Sequence, residues 1–146
     1  MNSRARRLVR SLLLIPALAC ATPVLAQANR IDPQNLYHYW ILLNTKVNTD
    51  LPNTGLNLTK PGCAAVTYTI GSDGVPMHVQ LAKLEPKSDL GQTAVTAVKN
   101  FRYGPSLTNK IGQPIATYYI VPFNSPDDPA AKQQLIDTCK LPGYGS

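Results

Sequence analysis

The chain has 146 residues, which is enough for one domain with a single hydrophobic core. Thirteen residues are proline, roughly twice the average usage, and only 15% are charged, so short elements and many turns are expected and a coiled coil is excluded. The formal charge of +6 is concentrated in Arg4, Arg6, Arg7 and Arg10, which precede every acidic residue. The chain after residue 26 has ten basic and eight acidic residues, a net charge of +2, which indicates no binding of nucleic acid.

The first 26 residues have the pattern of a secretory signal peptide. The arginine-rich start is followed by an almost wholly apolar stretch, Leu12 to Ala19, and small residues occupy the two positions that signal peptidase reads before Gln27. We therefore expect cleavage between Ala26 and Gln27, and export of the mature chain across the inner membrane.

Two alternatives to simple export remain open. A retained membrane anchor is disfavoured because the apolar stretch is short and is interrupted by Pro16 and Pro23. A lipid anchor on Cys20 is disfavoured because Ala17 occupies the position, three residues earlier, where lipoproteins usually have leucine.

Cleavage would remove Cys20 and leave Cys63 and Cys139 as an even pair in an oxidising compartment. The sequence therefore predicts a disulfide between them. The loop that it closes spans 76 positions, for which the chain-entropy model gives roughly 4.5 kcal/mol of stabilisation. A metal site is disfavoured because the cysteines form no CxxC motif and His38 and His78 are the only histidines.

Residues 27–50 form an N-terminal extension that is expected to be partly helical. Asp32 can cap a helix and Pro33 stands at its first position. The apolar residues that follow have helical spacing, although the stretch from Tyr37 to Ile41 is also rich in strand-forming residues, so residues 33–47 could be helix or strand. The apolar stripe of the helical alternative consists of Leu36, Tyr39, Trp40, Leu43 and Val47.

A β-hairpin follows a polar loop. Apolar and polar residues alternate from Ala64 to Ile70, a Gly71–Gly74 turn reverses the chain, and a second strand runs from Met77 to Leu84. The alternation places Val79 and Leu81 on the buried face and His78 towards solvent.

A helix and a third strand complete the predicted core. Ser88 or Asp89 can cap a helix that ends by Gly104-Pro105, and its apolar residues share one face: Leu90, Ala94, Ala97, Val98 and Phe101. The stretch Ile115 to Phe123 predicts a strand that is apolar on both faces. The predicted fold is α+β, a small antiparallel sheet with strand-strand-helix-strand order and the helix packed on one face.

The last residues, 125–146, form a predicted tail with one short helix. Asp128 is its expected cap, Pro129 its first residue, and the stretch from Ala130 to Thr138 its body. Cys139 would attach this helix to the first strand of the hairpin.

These motifs together resemble the C-terminal domain of TonB-type energy transducers over residues 51–124. The family pattern begins with a Tyr-Pro pair, a glycine and a strand, followed by an Asp-Gly turn and a second strand. It continues with a helix that ends in Trp-x-Phe-x-Pro, a Gly-x-Pro-Val motif and a last strand. The matching segments here are Leu51-Pro52, Gly62, Asp73-Gly74, Phe101-Arg102-Tyr103-Gly104-Pro105 and Gly112-Gln113-Pro114-Ile115. Leu51 replaces the family tyrosine and Phe101 the tryptophan.

The resemblance implies a protein-binding role. In the family the last strand lies near a sheet edge and receives an extended segment of an outer-membrane receptor, by backbone pairing. Carried over, this edge consists of Ile115, Ala116, Thr117, Tyr118, Tyr119, Ile120 and Val121. Transducers of the family also have a membrane helix that bears a histidine, and a long Pro-rich spacer. This chain has no histidine before His38 and about 25 residues between the leader and Pro52, so the usual energy coupling is not expected.

The sequence thus predicts a periplasmic binding module whose partner is an envelope protein such as a TonB-dependent receptor. The alternative is a structural, envelope-stabilising protein of the same fold that uses the edge to form a homodimer. Enzyme activity, a cofactor and a small-molecule substrate are not expected, because the histidines have no nucleophile beside them and Asp127-Asp128 is better explained as a helix start.

Overall fold

The computed structural model describes residues 28–44, 46–49 and 51–145. The predicted leader, with Cys20 and the Ala26/Gln27 cleavage point, lies outside the described residues. In chain order the elements are β1 (Asn29–Arg30), a 3-10 helix (Pro33–His38), β2 (Trp40–Leu42), β3 (Gly62–Ile70), β4 (Pro76–Glu85), α1 (Gly91–Lys99), β5 (Tyr103–Pro105), β6 (Ile115–Phe123) and α2 (Pro129–Thr138).

The predicted α+β fold is confirmed, with one addition to its main sheet. Strands β3, β4 and β6 form the antiparallel core of a four-stranded sheet in the order β1-β6-β3-β4, and α1 packs on one of its faces. The addition is β1, which pairs with β6 in parallel and makes the sheet mixed. A second sheet, of β2 and β5, was not predicted.

The two faces of the main sheet bury different residues. In β3, Ala64, Val66, Tyr68 and Ile70 contact α1 and the β2-β5 sheet within the larger core cluster. The neighbours that alternate with them, Cys63 and Ala65, form a smaller cluster with Tyr118 and Cys139. Because alternate residues of a strand point to opposite faces, the sheet lies between α1 on one side and α2 with the tail on the other.

The N-terminal extension begins as predicted and then departs from the prediction. Asp32 caps the 3-10 helix by accepting a hydrogen bond from the Gln34 N–H at 2.9 Å, and Pro33 is its first residue. The helix ends at His38, however, and Trp40–Leu42 form β2. The helical alternative for residues 33–47 is therefore wrong beyond His38, because β5 offers these strand-forming residues a partner that no local pattern reveals.

The buried face of α1 is confirmed: Leu90, Ala94, Ala97, Val98 and Phe101 are all buried. The predicted cap is wrong. No side chain caps the helix, whose N-cap residue is Leu90, and the Asp89 carboxylate instead accepts a hydrogen bond from the Leu56 N–H at 2.7 Å. Helix α1 ends at Lys99, because the chain turns to place Tyr103–Pro105 beside β2.

Strand β4 contains two register shifts, one near His78 and one near Ala82. His78 has a φ of +53° at the first, and its side chain is exposed as predicted. Each bulge inserts one extra residue and changes which side chains face the core. Leu81 pairs with Val66 and lies beside Gly91 of α1, on the predicted face, but it is 41% exposed because β4 is the outermost strand of the sheet. Val79 is half-buried.

The tail helix and the disulfide are confirmed. Asp128 caps α2 by accepting a hydrogen bond from the Ala131 N–H at 2.8 Å, and Pro129 is the first helical residue. Cys63 and Cys139 form a disulfide, and both are fully buried. Within the ranges that the structure describes, no helix is both long and apolar enough to cross a membrane.

Candidate partner-strand site

The backbone of β6 is paired on one side along its full length. β3 runs antiparallel to it, from Gly62 opposite Phe123 to Ile70 opposite Ile115. On the other side the carbonyl of Ala116 accepts a hydrogen bond from the Ile31 N–H at 2.9 Å. Because backbone groups alternate in direction along a strand, the outward-facing groups of β6 belong to its even-numbered residues.

The predicted edge is wrong for its first residues. Ile115 and Ala116 lie opposite Asn29 and Arg30 of β1, so their outer side is already occupied. Thr117 is fully buried, and its hydroxyl donates a hydrogen bond of 2.8 Å to the Ile31 carbonyl. The start of β6 is not an edge because β1, in the N-terminal extension, pairs with it as a further strand of the sheet.

The C-terminal segment holds β1 in place from its other side. The Gly145 N–H donates to the Arg30 carbonyl at 3.2 Å, and the Asp32 N–H donates to the Gly145 carbonyl at 2.8 Å. The Arg30 guanidinium lies 5.9 Å from the centre of the Tyr144 ring, which in turn is 4.8 Å from the ring of Tyr118. The start of β6 is therefore covered by both ends of the described chain.

The second half of β6 is open. Among the described residues no strand lies beside Tyr118, Tyr119, Ile120 and Val121 on the outer side. A groove of about 350 Å³ runs along this part of the strand. Its floor includes Tyr118, Tyr119 and Ile120 of β6. One wall is the segment Asp32–Gln34, and the other consists of Gln133 and Ile136 of α2 and Lys140 of the tail.

Proline and backbone direction together limit this open edge. Pro122 belongs to the outward-facing set, so its missing N–H costs no hydrogen bond to β3. The outward N–H donors that remain in the open half are those of Tyr118 and Ile120. The open edge, by which we mean Tyr118 to Val121, is therefore short and ends at a proline, a common protection against uncontrolled strand pairing.

The charge beside the groove is largely paired. Lys140 forms an exposed salt bridge of 2.8 Å with Asp137. Hydrogen bonds from Lys140 and Gln133 lower the pKa of the Asp137 carboxyl, and the Asp137 carboxylate raises the pKa of Lys140. The groove thus presents polar and apolar surface and two backbone donors, without a strong field of either sign.

The family assignment agrees with this geometry. The family model described as the C-terminal domain of the Gram-negative bacterial TonB protein matches residues 52–124, which is 73 of 146 residues. The chain belongs to this family. No curated protein matches the chain. The TonB C-terminal family is one of protein-interaction domains rather than enzymes.

The groove is assembled from both inside and outside the matched TonB segment. Its floor on β6 lies within residues 52–124, whereas its walls, residues 32–34 and 133–140, lie outside. Asp32, Pro33 and Asp128 are predicted helix starts, but no sequence pattern indicates that these two helices flank β6. Capping motifs are local signals, and they carry no information on which strand a helix will accompany.

The described residues contain no group of three or more histidine, cysteine, aspartate or glutamate side chains that could hold a metal ion. His38 and His78 are both exposed. The features that converge in this TonB C-terminal domain are backbone donors and a groove, which are suited to recognition of an extended chain.

Proposed function

We propose that this protein is a periplasmic binding module that pairs an extended segment of another envelope protein with the open edge of β6, as in TonB-linked transport. A TonB-dependent outer-membrane receptor is the partner class that the family favours. The observation that carries the proposal is the groove of about 350 Å³ beside Tyr118 to Val121, which two outward N–H groups border.

The choice of residue for a test follows from burial. Tyr118 is 3% exposed and contacts Tyr144, so any substitution there would also disturb the core. Ile120 has its N–H on the outer side and is only half-buried. Pro122, two residues later, shows that this strand accommodates proline at an outward-facing position.

The experiment compares Ile120→Pro with Ile120→Ala. Both lose the isoleucine side chain, but only the proline variant loses the backbone donor. Peptides from the periplasmic N-terminal segments of outer-membrane receptors would be titrated against both variants, with thermal melting to verify folding. We expect the proline variant to bind about 3- to 10-fold more weakly than the alanine variant, because one hydrogen bond is lost.

Equal affinity of the two folded variants would contradict the proposal. Self-association in sedimentation experiments that Ile120→Pro abolishes and Ile120→Ala preserves would instead assign the edge to a second copy of the chain. That result would favour the structural alternative.

A further inference from the structure

A second hollow adjoins the groove on the other face of the sheet. It has a volume of about 250 Å³, and it shares Pro33, Tyr118 and Tyr119 with the groove. The rest of its lining is apolar or aromatic and comes from the 3-10 helix, β2 and β5: Leu36, Tyr37, Trp40, Ile41, Leu42 and Tyr103. The open edge of β6 therefore runs between a mixed polar groove on the α2 side and an apolar hollow on the α1 side.

The base of the apolar hollow is preformed. Trp40 is 2% exposed, and its indole N–H donates to the Gln113 carbonyl at 3.0 Å. Tyr103 is likewise buried, and its hydroxyl lies 2.6 Å from that of Tyr68. These contacts hold the two aromatic side chains in place without any ligand, so binding would cost little ordering of the base of the hollow.

The rim of the hollow is unusually exposed. Tyr37 and Ile41 are 58% and 45% exposed, and both also line the next hollow along the surface, together with Leu107. These three apolar side chains extend the surface away from β6. A contiguous exposed apolar surface of this kind is typical of a binding site.

A strand paired with Tyr118 and Ile120 would use both hollows. Its side chains would alternate between the two faces of the sheet, with one row entering the apolar hollow and the other meeting Gln34, Gln133 and Lys140. The geometry therefore selects a segment in which large apolar residues alternate with polar ones.

We propose that the apolar hollow is the specificity pocket of the open edge and that the partner is an extended protein segment with alternating apolar and polar residues. This inference rests on the proposed strand-pairing function. The hollow is lined largely by residues 33–42, which precede the matched segment 52–124. The specificity therefore belongs to the N-terminal extension of this chain and not to the family segment alone.

The test uses two capped nine-residue peptides, one alternating valine with glutamine and one in which every valine is replaced by the isosteric threonine. Trp40 is the only tryptophan of the chain and lies in the hollow, so its fluorescence provides a local readout. We expect the valine peptide to bind about tenfold more tightly and to change the Trp40 emission, because only valine transfers an apolar side chain from water.

Two double variants test whether the preference for the valine peptide arises in the apolar hollow. Tyr37→Gln/Ile41→Gln should remove the valine preference, whereas Leu51→Gln/Leu56→Gln, at comparably exposed apolar positions elsewhere, should retain it. Equal binding of the two peptides, or an equal effect of both double variants, would overturn the inference. If Ile120→Pro still weakened both peptides equally in that case, strand pairing would stand without the pocket. If neither peptide bound, the pocket proposal would fail, and strand pairing would be decided separately by the receptor peptides with Ile120→Pro and Ile120→Ala.

Discussion

The hydroxyl oxygens of Tyr68 and Tyr103 lie 2.6 Å apart inside the core. Tyr68 belongs to β3 and Tyr103 to β5, so this hydrogen bond joins the main sheet to the two-stranded sheet that carries Trp40. The two rings are stacked with centroids 6.2 Å apart, and both side chains are buried.

This pair predicts a loss of stability in alkali. Burial raises the pKa of Tyr103 to about 12, and burial likewise raises the pKa of Tyr68 well above its ordinary value. The unfolded chain releases these protons near pH 10, whereas the folded chain retains them to higher pH. The stability that the two tyrosines contribute should therefore be fully present below pH 10 and be lost as the pH rises through about 12. For Tyr103 alone, the raised pKa corresponds to a loss of roughly 2 to 3 kcal/mol in the free energy of unfolding between pH 10 and 12.

Denaturant unfolding between pH 8 and 12 measures this loss. Tyr103→Phe removes one of the two buried phenols, so the free energy of unfolding of this variant should fall less steeply above pH 10 than that of the wild type. Identical slopes for the two proteins would show that other groups determine the alkaline loss.

The buried disulfide predicts a large contribution to stability. Cys63→Ala/Cys139→Ala should lower the free energy of unfolding by about 2 to 4 kcal/mol, because the link closes a loop with a sequence separation of 76. In this double variant, backbone hydrogen exchange should become faster first in residues 140–145, which follow Cys139 and pair with Arg30 through Gly145. Alkylation of the native mature protein without reductant should add no label, and labelling of both cysteines would contradict the prediction.

Gly74 and Gly143 allow two costs of an added Cβ to be compared: a steric collision and an unfavourable backbone conformation. Both have positive φ, at +77° and +83°. A Cβ at Gly74 would collide with the carbonyl oxygen of Tyr103, whereas the nearest atom at Gly143 is 4.0 Å away on Arg30. Gly143→Ala should therefore cost about 1 kcal/mol, for the left-handed conformation alone, and Gly74→Ala more than about 3 kcal/mol. Similar melting temperatures of the two variants would contradict this assignment.

The predicted signal peptide implies a defined start of the mature chain. Intact mass of the protein recovered from the periplasm should correspond to a chain that starts at Gln27, because the residues before it satisfy signal peptidase. A mass that includes residues 1–26 would indicate a retained anchor, and an added lipid on Cys20 a lipoprotein.

Several features could be predicted because their signals are local. The buried face of α1 follows from the spacing of Leu90, Ala94 and Val98, and the start of α2 from Asp128 and Pro129. The disulfide could be predicted from the number of cysteines that the predicted cleavage would leave, which needs no geometry. The order of motifs from Pro52 to Phe123 was enough to predict the family.

The site itself depends on contacts that leave no local pattern. Asn29 and Arg30 have no strand-like periodicity, yet they cover the start of β6, and Leu81 is partly exposed because β4 lies at the edge of the sheet. Periodicity in a sequence reports which side chains are buried, but a backbone N–H is the same in every residue except proline. Sequence patterns therefore predict β3, β4, α1, β6 and α2 and the apolar face of α1, but not β1, β2 or β5. Only the tertiary structure decided that the open edge is confined to Tyr118 to Val121, because the neighbours of a strand are set by distant segments.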